Sequence, residues 1–435
     1  MNILIITPFY KQDKNIASVR WTNIAPRLSK NHNIIVVTQP LDNDMDMTFT
    51  KTVEDGILVA RMNQKTAYEK IAVKYFHGAT GNDWQTSSAS DKIFSVQQDS
   101  AVRIIKNRVM YASMRAKAKA YAKAIKRDVI PDGTKIDVVI SSACPFIEML
   151  FGYEVKKLLG CKWISDFRDL PYTRDICDDT HRMKKIMKEA LADADAVNTI
   201  ASKGKSFLID NAIVNDANKI IVITNGFSMN DSRDISTIDD GKLHIVHTGS
   251  VYGGASRRPN LFFEAARLAK NKEKSFSYVL ECAGGNNEVF IKTAEKYEEK
   301  DSVIDRGFIP RIEALNMQAT SDCLLSIVVD RPGSLAAKLF EYMLNKKPVI
   351  SITCGDAVES EETLFVRKLN IGIAVEESEG EKAVETLSEF LLSQWRRKSN
   401  GMALEYKPDV EAVAQYDHDN ITKRINELCE RIAAK

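Results

Sequence analysis

Short apolar runs alternate with amphipathic stretches along most of this chain, and this alternation limits the possible folds more than any other feature. The runs suit strands buried on both faces, and several of the stretches between them carry apolar residues at helical spacing, as at 19–30, 146–159 and 183–192. Such alternation is typical of an α/β protein with a parallel sheet covered by helices. The predicted strands are 3–6, 34–38, 57–60, 138–141, 162–165, 196–200, 220–223, 243–247, 278–283, 303–305, 323–329, 348–352 and 372–375.

The strands form two series, separated by a polar, acidic stretch at 228–241 that we interpret as a linker. A chain of 435 residues is too long for one ordinary core. We therefore expect two tandem doubly wound domains, at 1–227 and 242–410. Ligands bind at the carboxyl ends of the strands in such sheets, which places the site in a cleft between the domains.

The segment 323–351 predicts a strand, a turn, a helix and a second strand, with an anion site at the turn. Ser334 is predicted as the N-cap of a helix over 334–344, whose start offers free backbone N–H groups and a partial positive charge. Lys338 in that first turn is unfavourable unless an anion such as phosphate binds there. The alternative is a surface ion pair between Lys338 and Glu341. With the lysine before the glutamate, such a pair stabilises a helix less than the reverse order does.

A glycine-rich turn follows the first strand of the second series and contains Gly249 and Ser250. Glycine lets the backbone approach a ligand closely, and Arg257 or Arg258 further along can contact a phosphate with two hydrogen bonds. An arginine, Lys338 and a helix start together suit a diphosphate leaving group, on which negative charge grows as the sugar bond breaks.

Two further segments have the chemistry to bind a nucleoside. Glu341 is placed to accept hydrogen bonds from the vicinal hydroxyls of a ribose. The turn of Gly307, Phe308, Ile309 and Pro310 can frame a flat base, although it is equally well explained as a plain turn.

In the first series, Asp166, Arg168 and Asp169 follow a predicted strand and are the catalytic candidates, because strand ends line the cleft. The alternative is an internal network of ion pairs. The segment 63–100 is polar and predicts an irregular excursion or a mobile loop. The stretch 101–127 predicts a long basic helix without acids, suited to anionic lipid or an anionic acceptor, or else an ordinary solvated helix.

Composition excludes several classes of protein. The net charge of +2 argues against general nucleic-acid binding. Seven dispersed cysteines without a Cys-x-x-Cys pair indicate reduced thiols in a cytosol and predict no metal site. The apolar start has no basic region before it, so we expect a first strand and not a signal peptide. No stretch approaches the roughly 20 apolar residues of a membrane span.

Taken together, 249–252, Arg257, 307–310 and above all 338–349 (Lys338-Leu-Phe-Glu-Tyr to Lys347-Pro-Val) resemble family 4 of the retaining glycosyltransferases. The nearest likeness is to bacterial enzymes of O-antigen, capsule and exopolysaccharide assembly. It covers nearly the whole chain except 63–127, and its 338–349 motif is the most specific part.

The resemblance implies the GT-B architecture, which has two tandem Rossmann-like domains and an interdomain cleft, and a C-terminal helix at 411–435 that crosses back to the first domain. It places the nucleotide-sugar donor mainly on the second domain and the acceptor on the first. Carried onto matching positions, the donor diphosphate contacts are Gly249, Ser250, Arg257, Arg258, Ser334, Leu335, Ala336, Ala337 and Lys338. The ribose contact is Glu341, the base contacts are Phe308, Ile309 and Pro310, and the acceptor-side residues are Ala17, Ser18 and Arg20.

Three positions depart from the family pattern. The stretch 331–334 has no acid where many relatives carry a Glu that contacts the donor sugar. The loop after the first strand lacks the usual glycine pair, and 141–145 holds no histidine at the turn that faces the cleft.

The resemblance implies a cytoplasmic retaining glycosyltransferase that uses a UDP-sugar and a saccharide or lipid-linked acceptor in surface polysaccharide synthesis, with possible contact to the inner membrane through 101–127. Front-face transfer of this kind needs no enzymic nucleophile, and we expect no metal or other cofactor. The alternatives are a nucleotide-sugar 2-epimerase and a nucleotide-binding scaffold without catalysis.

Overall fold

The structure, a computed structural model, describes residues 1–11, 16–38, 48–63, 101–143, 147–170, 180–229, 235–251 and 257–435. Two sheets dominated by parallel strands, each with helices on both faces, account for the described chain, as the alternation predicts. The helices are α1 Val19–Leu28, α2 Ala101–Ala124, α3 Ile147–Leu159, α4 Thr180–Leu191, α5 Ser202–Asp210, α6 Asn260–Lys272, α7 Glu288–Lys296, α8 Arg311–Thr320, α9 Lys338–Leu344, α10 Glu361–Leu369, α11 Glu381–Ser399, α12 Val410–Ala414 and α13 His418–Ala433.

The first sheet has the strand order β3-β4-β2-β1-β5-β6-β7-β8. Its strands are β1 Asn2–Ile6, β2 Asn33–Thr38, β3 Phe49–Glu54, β4 Ile57–Met62, β5 Val138–Ala143, β6 Lys162–Phe167, β7 Ala196–Thr199 and β8 Ile220–Val222. Successive side chains of β1 point to opposite faces, so Leu4 and Ile6 enter one core and Ile3 and Ile5 enter another. This explains why the strand reads as a continuous apolar run.

The edge strand β3 is antiparallel to β4 and does not appear among the predicted strands. Its side chains are largely exposed, and therefore the segment lacks the apolar run that marks a buried strand. Asp55 and Gly56 connect the two strands with φ of 52° and 76°, as a tight hairpin turn requires. The Asp-Gly pair was the available signal for this hairpin.

The second sheet is parallel throughout, with the order β11-β10-β9-β12-β13-β14. Its strands are β9 Leu243–Thr248, β10 Tyr278–Ala283, β11 Val303–Asp305, β12 Cys323–Val329, β13 Val349–Cys354 and β14 Gly372–Glu376. Ile245 and Leu325 face one apolar core, and Val246 and Leu324 face the other. β9 pairs with β10 on one side and with β12 on the other. Successive strands are therefore added on one side of β9 up to β11 and on its other side from β12 onward.

The helix after β12 begins at Lys338 and not at Ser334, which corrects the predicted helix over 334–344. The N–H of Ser334 closes a turn to the carbonyl of Arg331 at 3.0 Å, and Leu335 turns inward with 4% exposure. This hydrogen bond and the burial of Leu335 prevent residues 334–337 from forming part of the helix. Ser334 is therefore not the N-cap.

The basic stretch forms α2, followed by a wider helical turn over Ile125–Val129. Tyr111, Met114 and Ala118 are buried in the first core, whereas Lys119 and Lys123 are exposed. The apolar face of this part of α2 therefore packs within its own domain, in agreement with the ordinary solvated helix. The predicted excursion lies almost entirely outside the described residues, as does 230–234 of the linker. Within the described part of the chain, no helix has the length and hydropathy to cross a membrane.

The domains meet where loops of both sheets approach each other. The backbone N–H groups of Ser202 and Lys203, at the start of α5, each donate to the Glu361 carboxylate at 2.8 Å. Lys203 Nζ also pairs with Asp330 at 2.7 Å. In addition, α13 packs against α1, which places the C-terminal helix on the first sheet.

Candidate functional site

The carboxyl ends of β9, β12 and β13 form one edge of the second sheet, at the point where its strand order reverses. Ligands bind at such switch points in open α/β sheets. Arg257 follows β9, Lys338 begins the helix after β12, and Glu362 lies at the start of the helix after β13. The mutual electrostatic influence of these three residues places them in one cluster.

The ammonium of Lys338 faces the imidazole of His247 on β9. Lys338 Nζ lies 3.5 Å from His247 Nε2, and His247 Nδ1 lies 2.9 Å from the carbonyl oxygen of Leu325. Nδ1 therefore donates to Leu325, and Nε2 accepts from Lys338. His247 is fully buried, and burial together with the charge of Lys338 keeps the pKa of the imidazole well below its usual value. The ring is neutral near pH 7.

Lys338 is a cation in an environment that opposes its charge. Burial, and next the positive charge of Arg257, lower the pKa of Lys338 to about 7, while Glu362 acts more weakly in the opposite direction. Within the described residues, the only hydrogen bond of the ammonium is to His247. A bound phosphate would supply the missing counter-charge.

The neighbouring arginines point to different places. Arg258 Nη2 pairs with the Glu377 carboxylate at 2.7 Å. Arg257 lines a cavity of about 30 Å³ together with Glu362, and its charge acts on both Lys338 and His247. The structure therefore brings Arg257, and not Arg258, together with Lys338.

The loop before α9 presents backbone donors to this cluster. The N–H groups of residues 335–338 donate to no carbonyl oxygen of the described backbone, because α9 starts only at Lys338. Ser334 and Ala336 line the same cavity as Arg257. Ala337 is the N-cap residue and offers no side-chain cap. N–H groups that have no carbonyl partner in the described backbone and lie beside two cations are a suitable anion site.

Glu341 does not pair with Lys338, so the alternative of a surface pair between them is wrong. Its Oε1 accepts from Arg311 Nε at 3.0 Å, and its Oε2 accepts from Gln318 Nε2 at 3.4 Å. The Glu341 side chain is only 12% exposed. A carboxylate held in this way has a fixed orientation and can accept further hydrogen bonds from vicinal hydroxyls.

The predicted base-binding turn lies beside the turn after β10. The carbonyl of Gly307 accepts from the N–H of Gly284 at 2.8 Å. Phe308 is 64% exposed, Ile309 is half-buried, and Pro310 precedes the first residue of α8. An exposed aromatic ring at this edge is available for stacking.

Gly249 and Ser250 hold the turn after β9 against the turn after β10. The N–H of Gly249 donates to the Ala283 carbonyl at 2.8 Å, and Ser250 Oγ accepts from the N–H of Gly285 at 3.1 Å. A Cβ on Gly284 would lie 2.3 Å from the Gly249 carbonyl oxygen. Only glycine allows this contact between the two loops.

In the first domain, Arg20 and Asp166 form a buried ion pair. Arg20 Nη2 lies 3.1 Å from Asp166 Oδ1, and both side chains are at most 3% exposed. Ser142 Oγ and Asn198 Nδ2 donate to the same carboxylate at 3.0 and 2.6 Å. Arg20 also donates to backbone carbonyls at Ile223 and Thr224. For Asp166 this is the internal network given as the alternative, and it joins α1 to the centre of the sheet.

The residues after Asp166 lie at the boundary between the domains. Arg168 Nη1 donates to the carbonyl oxygen of Ala17 at 2.7 Å. A Cβ on Gly333 would lie 2.8 Å from the Leu170 side chain, so the loop after β6 contacts the loop after β12. Arg168 and Asp169 are half-buried here, whereas Ser18, the residue directly before α1, is buried.

Sequence reasoning missed three members of the site. His247 was recognised only as the end of a strand, although its position directly before a glycine turn was the available signal. Arg311 in α8 and Glu362 in α10 bond to residues of other elements, which no local pattern predicts. Among the described residues, no group of three or more His, Cys, Asp or Glu side chains is arranged to hold a metal ion.

No protein-family model matches this sequence, and no curated protein matches it. Solved structures match over nearly the whole chain. The apo structure of OtsA is 11% identical, with 98% of both chains covered and a TM-score of 0.68. An E. coli structure described as trehalose-6-phosphate bound with UDP-2-fluoro glucose is 10% identical, with 99% of both chains covered and the same TM-score.

The apo form of the lipopolysaccharide outer core galactosyltransferase WaaB is 15% identical, with 98% of both chains covered and a TM-score of 0.55. At these identities the likeness concerns the fold. The chain thus has the GT-B fold of two Rossmann-like domains, as expected from the sequence.

Proposed function

We propose that this protein is a retaining glycosyltransferase that transfers a sugar from a nucleotide-sugar, most favourably a UDP-sugar, to a saccharide or lipid-linked acceptor. The observation that carries the proposal is the state of Lys338. Its ammonium is desolvated, and within the described residues its only hydrogen bond is to a neutral imidazole. Such a group stays charged most readily when an anion binds to it.

A diphosphate fits this cluster better than a single carboxylate does. Arg257, Lys338 and the N–H groups of residues 335–338 supply several donors from two loops. As the bond between sugar and phosphate breaks, negative charge grows on the diphosphate, and these donors are already in place to stabilise it. Glu341 is then the proposed ribose contact and Phe308 the proposed base contact.

The acceptor is proposed to bind on the first domain, where the loop of Arg168 and Asp169 faces the second domain. Asp166 is buried with Arg20, so we assign it to positioning this loop and not to contact with the reacting atoms. As the diphosphate leaves, one of its oxygens can take the proton of the acceptor hydroxyl, which attacks the sugar from the same face. Closure of the domains would exclude water from this step.

The role in surface polysaccharide synthesis, at the cytoplasmic face of the membrane, rests on the resemblance of 338–349 to family 4. The match of the fold to a lipopolysaccharide galactosyltransferase supports it. The exposed lysines of α2 are the proposed contact with anionic lipid.

Calorimetric titration with UDP tests the proposal. The parent should bind UDP, and Lys338→Ala should weaken binding about ten-fold or more, because a charge-assisted contact is lost. Equal affinities would refute the phosphate assignment. Incubation with UDP-sugars separates the alternatives, since a transferase slowly releases UDP, a 2-epimerase interconverts sugars and a scaffold does neither.

A further inference from the structure

A small polar cavity lies next to the proposed diphosphate site, between the loop after β12 and the start of α10. Its walls include Arg257, Asp330, Ser334, Ser360 and Glu362. The volume is about 30 Å³. A single water needs about 10–15 Å³ of such space, so the cavity admits one or two hydroxyl-sized groups but no sugar ring or phosphate.

Glu362 is the residue in this wall whose bonding is incomplete. Its Oε1 accepts from Ser326 Oγ at 2.6 Å and from Ser351 Oγ at 3.0 Å. Its Oε2 is buried and has no hydrogen-bond partner among the described residues. The residue is only 4% exposed, and burial raises the pKa of its carboxyl group. Leaving a buried oxygen without a partner is unfavourable, and a ligand with a matching polar group can recover that loss.

The charges around the cavity select a neutral group over a second anion. The carboxyl group of Glu362 lies in its wall and would repel a second anion, whereas the charge of Asp330 is already compensated by Lys203. A hydroxyl can donate to Glu362 and accept from Arg257. When a diphosphate lies on Arg257 and Lys338, the sugar is the next group along the donor, so its hydroxyls are the nearest neutral polar groups.

We propose that Glu362 determines donor specificity by binding a hydroxyl group of the transferred sugar in this cavity. Ser326 and Ser351 orient the carboxyl group through Oε1, which leaves Oε2 for the sugar. The inference rests on the proposed function, because it takes the diphosphate to bind at Arg257 and Lys338.

The test compares the full-length parent with Glu362→Gln by calorimetry. The two ligands are UDP and whichever of UDP-glucose, UDP-galactose and UDP-N-acetylglucosamine binds the parent most tightly. Glu362→Gln removes a negative charge that repels the diphosphate, but also one that raises the pKa of Lys338, so UDP affinity should change little. The UDP-sugar should lose affinity relative to UDP by about ten-fold, as expected for a lost hydrogen bond to a charged group.

Two further variants complete the design. Glu359→Gln changes an exposed carboxylate in the loop before α10 and should leave the ratio of the two affinities unchanged. Ser326→Ala keeps the carboxyl group but removes one orienting donor, and should lower the same ratio by about three-fold. If Glu362→Gln does not fold, Ser326→Ala alone tests the proposal.

An unchanged ratio in both Glu362→Gln and Ser326→Ala overturns the proposal. Equal losses for UDP and the UDP-sugar also overturn it, because they would show that Glu362 acts only through the neighbouring cations. If the parent binds neither UDP nor any of the three UDP-sugars, the proposed function itself fails, and this assignment fails with it.

Discussion

Arg257 and Arg258 are adjacent in the chain, but their guanidinium groups diverge into different electrostatic environments. Arg258 pairs with Glu377 at 2.7 Å, whereas Arg257 lines the cavity beside Lys338 and acts on its charge. Side-by-side residues in an irregular loop thus belong to separate parts of the molecule. This divergence provides a matched pair of variants.

Arg257→Ala should weaken UDP binding by about ten- to one-hundred-fold, because a charge-assisted contact to phosphate is worth 1.5–3 kcal/mol. Arg258→Ala should leave the affinity within about two-fold, since its guanidinium pairs with Glu377 and not with the cluster around Lys338. Calorimetry of both variants measures the difference. Similar losses in the two would contradict the assignment.

The affinity for UDP should fall as the pH rises above 7. Lys338 must be protonated to bind phosphate, and in the free protein its pKa is about 7. Well above that value the protonated fraction of free Lys338 decreases about ten-fold for each pH unit, and the affinity falls in parallel until the pKa of the bound form is reached. Titration with UDP between pH 7.5 and 9 measures the slope. Lys338→Arg stays charged and should lose most of this dependence, and an equally steep slope in that variant would refute the explanation.

Glu341→Gln should weaken UDP more than 2′,3′-dideoxy-UDP, because only UDP has the hydroxyls that the carboxylate is proposed to bind. We expect a difference of about ten-fold between the two losses. Competition binding with both nucleotides gives the comparison. Equal losses would mean that Glu341 acts only through its pair with Arg311.

Breaking the buried pair of Arg20 and Asp166 should destabilise the first domain. Arg20→Leu leaves a buried carboxylate without its counter-charge, which typically costs about 3–5 kcal/mol. Urea unfolding measures the loss. Arg115→Ala breaks a half-exposed pair with Glu189 in the same domain and should cost less than about 1 kcal/mol. If the two losses are alike, Arg20 is not the structural anchor described here.

Gly333→Ala should separate the domains slightly. An added Cβ would lie 2.8 Å from Leu170 and close to Gly204, both in the first domain. Gly355→Ala is the control, because that residue also has a positive φ, of 90°, but its added Cβ would meet nothing within 4 Å. Each substitution costs about 1–2 kcal/mol of backbone strain. Only Gly333→Ala should increase the radius of gyration in solution scattering, and an equal change in both would refute the steric contact.

The parallel strands could be predicted because burial on both faces requires a continuous run of apolar residues in the sequence. Strand β3 could not be recognised in this way, since its exposed side chains carry no apolar pattern. The helix after β12 was placed too early, because Ser334 has the chemistry of an N-cap but its N–H bonds to Arg331. A capping residue indicates where a helix can begin, but here the tertiary packing of Leu335 determines that the helix begins at Lys338.

The site was predictable to the extent that its residues lie at strand ends. Lys338 and Arg257 follow β12 and β9, so sheet topology alone brings them to one edge. The choice between Arg257 and Arg258 depends on Glu377, which is far away in sequence. The pairing of Asp166 with Arg20 likewise depends on the register of a sheet, which a motif does not specify.

The polypeptide passes between the two domains twice, and the two crossings are bonded to each other. The N–H of Phe227 donates to the carbonyl of Tyr416 at 3.0 Å, and the N–H of His418 donates back to Phe227 at 2.8 Å. Two chain crossings bonded at one place act as a hinge. They allow the two domains to rotate apart at the open side of the cleft, but they resist sliding of one domain past the other. Substrate entry and product escape would then share a single angular motion.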